Sequence, residues 1–239
     1  MKLSLVSTAT TSPLVTRFSH LAPLKASEAD ALDAAERDRR RYPARREIIA
    51  EGAAIREGRA LISGWACRQR ILSDGRRQIL GFLLPGDLIG VCQHSNPIAP
   101  TTVLAITELA TCSIPPVEAG SALAEAYARS WALDQQYMFA HITRLGRFNA
   151  YERLADWFLE TRERLALAGL AAADRFPLPL TQELLADALG LTSVHVNRTL
   201  QALRRDGMLS TRGGMISLPD RERLERLVDY RPARVSADG

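Results

Sequence analysis

Residues 179–207, PLTQELLADALGLTSVHVNRTLQALRRDG, are spaced as two short helices around a glycine. Thr181 is placed to cap a first helix whose apolar face is Leu184, Leu185, Ala188 and Leu189. Gly190 then supplies the residue without Cβ that a tight inter-helix turn favours. Thr192 is the expected N-cap of a second helix, in which Val196, Leu200 and Leu203 recur at four and three residues and form one buried stripe. The opposite face carries Ser193, Val194, Asn197, Arg198 and Gln201, short polar groups with one guanidinium, a set able to enter a major groove and meet base edges. An ordinary helical hairpin capped by Gly207 shares both apolar stripes. Residues 208–218 separate the two readings: a short apolar run, Arg212-Gly213-Gly214 and Met215-Ile216-Ser217-Leu218 make a small hairpin with a glycine turn. A hairpin directly after a recognition helix is a wing.

These residues carry a resemblance. LTQELLADALGLTSVHVNRTLQALRRDGML, followed by ISLPDRERLERL and preceded by AYERLADWFLETRERL, is similar to the winged helix-turn-helix of the Crp/Fnr family of bacterial transcription regulators, and the similarity extends more loosely through the first half of the chain. It implies an α+β protein: an N-terminal β-roll (a double-stranded jelly roll like cyclic-nucleotide-binding domains), a long dimerisation helix and a C-terminal winged helix-turn-helix. It further implies a homodimer on a palindromic operator of double-stranded DNA, and contact with RNA polymerase. An arginine at the place of Arg198 donates two hydrogen bonds to a guanine in such regulators, a fit to O6 and N7. Family members commonly have glutamate where this chain has Val194, and a valine cannot accept from cytosine N4, so the half-site is expected to differ there, with a thymine methyl as the apolar partner. Thr181, Gln182, Thr192, His195 and, on the wing, Arg212 are assigned to phosphates.

Composition permits this reading. The 239 residues are 46% hydrophobic and 24% charged, an ordinary soluble balance with room for two modest domains. No apolar run approaches the roughly 20 residues that span a bilayer, and residues 1–6 are too short an apolar stretch for a secretory signal, so a cytoplasmic protein is expected. A net charge of +4 and a pI near 9.2 allow a polyanionic partner without demanding one. Cys67, Cys92 and Cys112 are scattered, with no C-x-x-C pair, which argues against structural zinc or an iron–sulfur cluster. Enzyme chemistry lacks its usual signs: there is no Gly-rich phosphate loop, no G-x-S-x-G, no H-E-x-x-H, and no pairing of the four histidines with a nucleophile. A module that binds something other than DNA would not need Arg198 on the exposed helix face.

Residues 1–26, Ser/Thr-rich with Pro13 and Pro23, read as an irregular, partly ordered arm. Ser27-Glu28-Ala29-Asp30 resembles a capping signal for a helix with Leu32 and Ala35 on one side. The arginines at 37, 39, 40, 41, 45 and 46 read as a solvated helix end. From residue 48 to 115 the period shortens to that of strands, the expected β-roll within a sensor domain of residues 27–120, with strands over 60–72 and 78–84 joined through Ser73-Asp74-Gly75. In nucleotide-binding relatives the segment after the Pro-Gly-Asp turn carries a glutamate for the ribose and an arginine for the cyclic phosphate. Residues 88–103 contain neither, so a phosphate there would lack its charge partner and its bidentate clamp. No cofactor is therefore expected. Cys92 and His94 leave one alternative open, because haem-containing gas sensors of the family have a C-x-H nearby and both side chains are ligands that iron accepts; the plain reading is a half-buried free cysteine beside a surface histidine.

Residues 121–146 form a long helical pattern with two apolar seams. One contains Leu123, Tyr127, Trp131, Met138 and Ile142; the other contains Leu123, Ala126, Leu133 and Tyr137. One seam is expected on the β-roll and the other on a second subunit, with Leu123, Tyr127, Trp131, Tyr137, Met138 and Ile142 as the dimerisation set. Gly146 is the expected hinge into a DNA-binding domain of residues 147–230, and residues 231–239 are expected to be a disordered tail.

Overall fold

The computed structural model describes residues 12–91, 96–172 and 175–235. Cys92 and His94 lie outside the described residues. Two helices, α1 (Pro13–Leu21) and α2 (Ala26–Arg37), precede strands β1 (Arg40–Tyr42), β2 (Glu47–Ile49), β3 (Arg59–Ser63), β4 (Ala66–Ile71), β5 (Arg77–Leu83), β6 (Leu88–Ile89), β7 (Thr102–Ala105) and β8 (Leu109–Ser113). The strands form two antiparallel sheets, ordered β1-β8-β3-β6 and β2-β7-β4-β5. Leu61, Ile89 and Leu109 of the first share a core with Ala66, Leu83 and Val103 of the second, so the sheets pack face to face.

The single strand expected over residues 60–72 is in fact two, one in each sheet. Gly64 turns the chain between them with a φ of 81°, and a Cβ there would lie 2.4 Å from the Glu108 carbonyl oxygen. Both conditions require glycine. Apolar runs on either side of Ser63-Gly64, Ala60-Leu61-Ile62 and Trp65-Ala66-Cys67, are alike in character, so composition alone did not show the crossing.

The N-terminal arm also departs from expectation, since residues 13–21 are helical. Ser12 Oγ accepts the amides of Leu14 and Val15 at 3.2 Å, and Pro13 occupies the first turn. Leu14 and Phe18, one turn apart, are fully buried, and the Phe18 ring meets Tyr127 edge-on at 5.2 Å. A nine-residue helix is marginal alone, so it owes its stability to this packing. Helix α2 starts one residue before the predicted cap: Glu28 accepts the Lys25 amide at 2.7 Å and, with its other oxygen, the Leu123 amide at 2.9 Å.

Helix α3 (Ala122–Arg147) opens at Ser121, whose hydroxyl accepts the Ala124 amide at 3.1 Å. It runs through Gly146 without interruption. The break falls at Phe148, with ψ of 143°, and Asn149 with Glu152 forms the capping box of α4 (Ala150–Leu167). One glycine in a last turn costs only about 1 kcal/mol, and the helix continues past it to the capping box that starts at Asn149, three residues later.

The two seams of α3 have different fates. Leu123, Ala126, Tyr127, Leu133 and Tyr137 are buried in this chain's own core, which withdraws Leu123, Tyr127 and Tyr137 from the proposed dimer set. Trp131, Met138, Phe139 and Ile142 are 53%, 51%, 66% and 64% exposed.

The remaining elements are β9 (Arg175–Pro177), α5 (Gln182–Leu189), α6 (Ser193–Arg205), β10 (Ser210–Arg212), β11 (Met215–Ser217) and α7 (Arg221–Val228). Strands β10-β11-β9 make a three-stranded antiparallel sheet, so part of the expected connector 171–179 belongs to the wing. Residues 231–235 of the expected tail lie along α3, with Ala233 and Val235 on the apolar cluster and the Arg234 amide donating to Gln136 at 3.0 Å.

The β-roll and the C-terminal unit share one core. Trp65 meets Phe82, Phe82 meets Trp157, and Trp157 meets Phe158, each edge-on with centroids 5.2 to 6.3 Å apart. A buried ionic chain runs alongside. Asp87, in the turn before β6, receives Arg17 of α1 at 3.0 Å and Arg164 of α4 at 2.6 Å. Arg164 also pairs with Glu160, and Arg144 of α3 pairs with both Glu160 and Asp156. Burial pushes all three carboxyls up, but at Asp87 and Glu160 the paired guanidinia prevail and hold them below the ordinary range, whereas at Asp156 burial wins.

Candidate nucleic-acid interface

Helix α5 begins where Thr181 Oγ1 accepts the Leu184 amide at 3.2 Å, and ends at Gly190, whose φ of 61° lies in the left-handed region. Thr192 Oγ1 accepts the His195 amide at 3.2 Å and starts α6. Val196, Leu200 and Leu203 are buried against α4 and α5, with Thr199 beside them donating to the His195 carbonyl at 2.9 Å. That burial sets the rotation of α6 about its axis, and so decides which side chains face solvent.

Ser193, Val194, His195, Arg198 and Gln201 are exposed, Val194 to 64%. Asn197 is half-buried and donates from Nδ2 to Gln182 Oε1 at 3.0 Å, so these two predicted contacts hold each other across the α5–α6 junction. Arg198 is exposed and makes no hydrogen bond or ion pair among the described residues. Gln182, Ser193, Val194, Asn197 and Arg198 line one open depression of about 270 Å³. Arg204 donates to Thr211 at 3.2 Å and ties α6 to the wing, which carries exposed Arg212 beside the Gly213-Gly214 turn. Thr181, Gln182, Thr192, His195 and Arg212 are all at the surface of this unit.

Sequence reasoning missed Arg153. Its guanidinium donates to the carbonyls of Leu145, Phe148 and Leu189 at 2.9, 2.8 and 2.8 Å, satisfying the ends of α3 and α5 with one side chain. It also missed Arg77 of β5, which pairs with Asp187 of α5 at 2.6 Å and so fixes the helix-turn-helix against the β-roll. Their links to α5 have no local mark, because Leu189 lies 36 positions from Arg153 and Asp187 lies 110 positions from Arg77.

No helix among the described residues is long and apolar enough to cross a membrane, and none of their His, Cys, Asp and Glu side chains group as a metal site. The Crp-like helix-turn-helix domain family matches residues 152–227, and the cyclic nucleotide-binding domain family matches residues 39–126. The nitrogen fixation regulation protein FixK of Bradyrhizobium diazoefficiens is 36% identical over 162 residues, which cover 66% of this chain and 68% of that protein. The transcriptional activator protein FnrL of Cereibacter sphaeroides is 31% identical over 187 residues, covering 73% of each. Among solved structures, FixK2 from Bradyrhizobium japonicum superposes with a TM-score of 0.68 at 30% identity, over 82% of this chain and 98% of that one. The surface helix, its wing and the β-roll beneath them are thus those of a DNA-binding transcription regulator, and the chain belongs to the Crp/Fnr family.

Proposed function

We propose that two copies of this chain bind a palindromic operator, each placing α6 in the major groove, and that Arg198 reads a guanine in each half-site. The observation that carries this is Arg198 itself: a guanidinium without a partner among the described residues, on the exposed face of a helix whose other face is buried. Val194 beside it offers a base pair only apolar contact, so the preferred base at that step is one with a methyl group. Arg212 on the wing serves phosphates. The exposed side chains at 131, 138, 139 and 142 on α3 supply an apolar strip for the second copy, and the dimer axis then sets half-sites about one helical turn apart, ~10 base pairs. Contact with RNA polymerase belongs to the same reading.

The β-roll is proposed to work without a cyclic nucleotide, because residues 88–103 contain no Glu for the ribose and no Arg for the phosphate.

Selection of binding sites from a random pool tests the reader. Arg198→Ala is expected to cost about 1–3 kcal/mol per half-site and relax the guanine, and Val194→Glu to change the base selected next to it. Arg212→Ala is expected to weaken all sequences alike and to lower the salt slope. A selected motif that both α6 substitutions leave unchanged means that this helix does not read the operator.

A further inference from the structure

A polar cavity of about 80 Å³ lies between α1, the turn before β6, and α3, lined among others by Arg17, Arg68, Asp87, Ser130, Trp131 and Tyr137. Its hydrogen-bonding groups do not balance. Arg17 is 1% exposed; its Nη2 pairs with Asp87, but Nε and Nη1 have no partner among the described residues. The Tyr137 hydroxyl, also buried, has none either, and neither has Nε of Arg164, whose guanidinium sits 4.6 Å above the Tyr137 ring. All of these atoms are donors at neutral pH.

Both carboxylates of the lining already hold other donors. Asp87 takes Arg17, Arg164 and the Leu84 amide at 2.7 Å, and Asp134 takes Arg68 at 2.7 Å. Leaving a buried donor unmet costs roughly 1–3 kcal/mol, and several meet in one cavity with room for a handful of waters or a small ion. Two guanidinia, Arg17 and Arg68, and two carboxylates, Asp87 and Asp134, line the cavity, so it is the unmet donors and not a net charge that call for a guest rich in acceptors.

We propose that this cavity binds a small oxyanion, a carboxylate or a phosphate-sized ion, through Arg17 Nε–H and Nη1–H and the Tyr137 hydroxyl. The volume excludes a nucleotide, and the binding cation comes from α1 rather than from residues 88–103. The site is independent of how the protein reads DNA. Because Asp87 joins Arg17 to Arg164 of α4, a bound anion strengthens the seam between β-roll and DNA-binding unit by giving Arg17 a second acceptor.

The test is calorimetric titration of the full chain with inorganic phosphate and, separately, with acetate, at an ionic strength held constant with chloride. Saturable one-site binding of either anion is expected, and which anion binds identifies the tetrahedral or the planar guest. Arg17→Gln and Tyr137→Phe are each expected to weaken it roughly tenfold or more, the loss of a hydrogen bond to a charged group. Tyr137→Phe removes one oxygen and no packing, so it decides the matter even where Arg17→Gln fails to fold. No saturable binding of either anion to the wild type overturns the proposal, as does an affinity that Tyr137→Phe leaves unchanged.

Discussion

Two groups of arginines in this chain do opposite work. Arg198 and Arg212 stand in solvent without carboxylate partners among the described residues, while Arg17, Arg144 and Arg164 are buried and held by Asp87, Asp156 and Glu160. The first group keeps its charge available to a polyanion. The second has its charge neutralised in place, and its role is to fix how α1, α3, α4 and the β-roll meet. Residue type and net charge are the same in both; the partners within reach decide the role.

The contrast is broken most severely at Arg164. Arg164→Ala leaves Asp87 and Glu160 in a buried site with one guanidinium fewer, and is expected to cost about 3–5 kcal/mol of stability in chemical denaturation, whereas Arg198→Ala is expected to leave the denaturation midpoint unchanged. A small effect at Arg164 would mean that the shared aromatic core, not the ionic chain, holds the two units together.

Assembly gives the next largest effect. Met138→Glu puts a charge on the exposed strip of α3 and is expected to weaken the dimer by about 2–3 kcal/mol, since symmetry repeats the charge across the interface. Tyr137→Glu, one residue away but buried, is expected to lower folding stability instead. Sedimentation equilibrium with a parallel thermal melt separates the two outcomes, and a Met138→Glu protein that remains an undisturbed dimer moves the interface elsewhere.

Acid sharpens the comparison within the buried group. Asp87 and Glu160 have folded-state pKa values held down, so the stability they contribute is complete above their unfolded values, near 4, and is lost as pH falls through the folded ones. Asp156 acts in the opposite sense: its raised pKa makes it take up a proton in the folded state first, so its penalty is relieved on the same descent. Midpoints measured from pH 6 down to about 3 are therefore expected to fall in the wild type and to fall less in Asp87→Asn. Parallel curves would remove Asp87 from the account.

The smallest effect is at Arg77. Its pair with Asp187 is partly open to water, and Arg77→Ala is expected to cost about 1 kcal/mol or less in stability. Loss of operator affinity beyond that would show that the pair orients the helix-turn-helix as well as anchoring it.

What the sequence determined by itself was everything with a short-range cause. The caps at Thr181 and Thr192, the turn at Gly190, the buried stripe of α6 and the wing hairpin each depend on residues within a few positions, where hydrogen-bond geometry and the helical period leave little choice. Arg198 followed from that stripe, because burying one face of a helix defines the other. Tertiary structure alone decided the rest. It made a helix of Pro13–Leu21, which is too short to stand without Tyr127 against it. It divided residues 60–72 between two sheets at Gly64, where the obstacle is a carbonyl 44 positions away. It also turned Tyr137 inward and left Met138 outside, on a helix whose two apolar seams had equal claim to the core. A side chain's periodicity says that it needs a partner; only the packed chain says which partner is there.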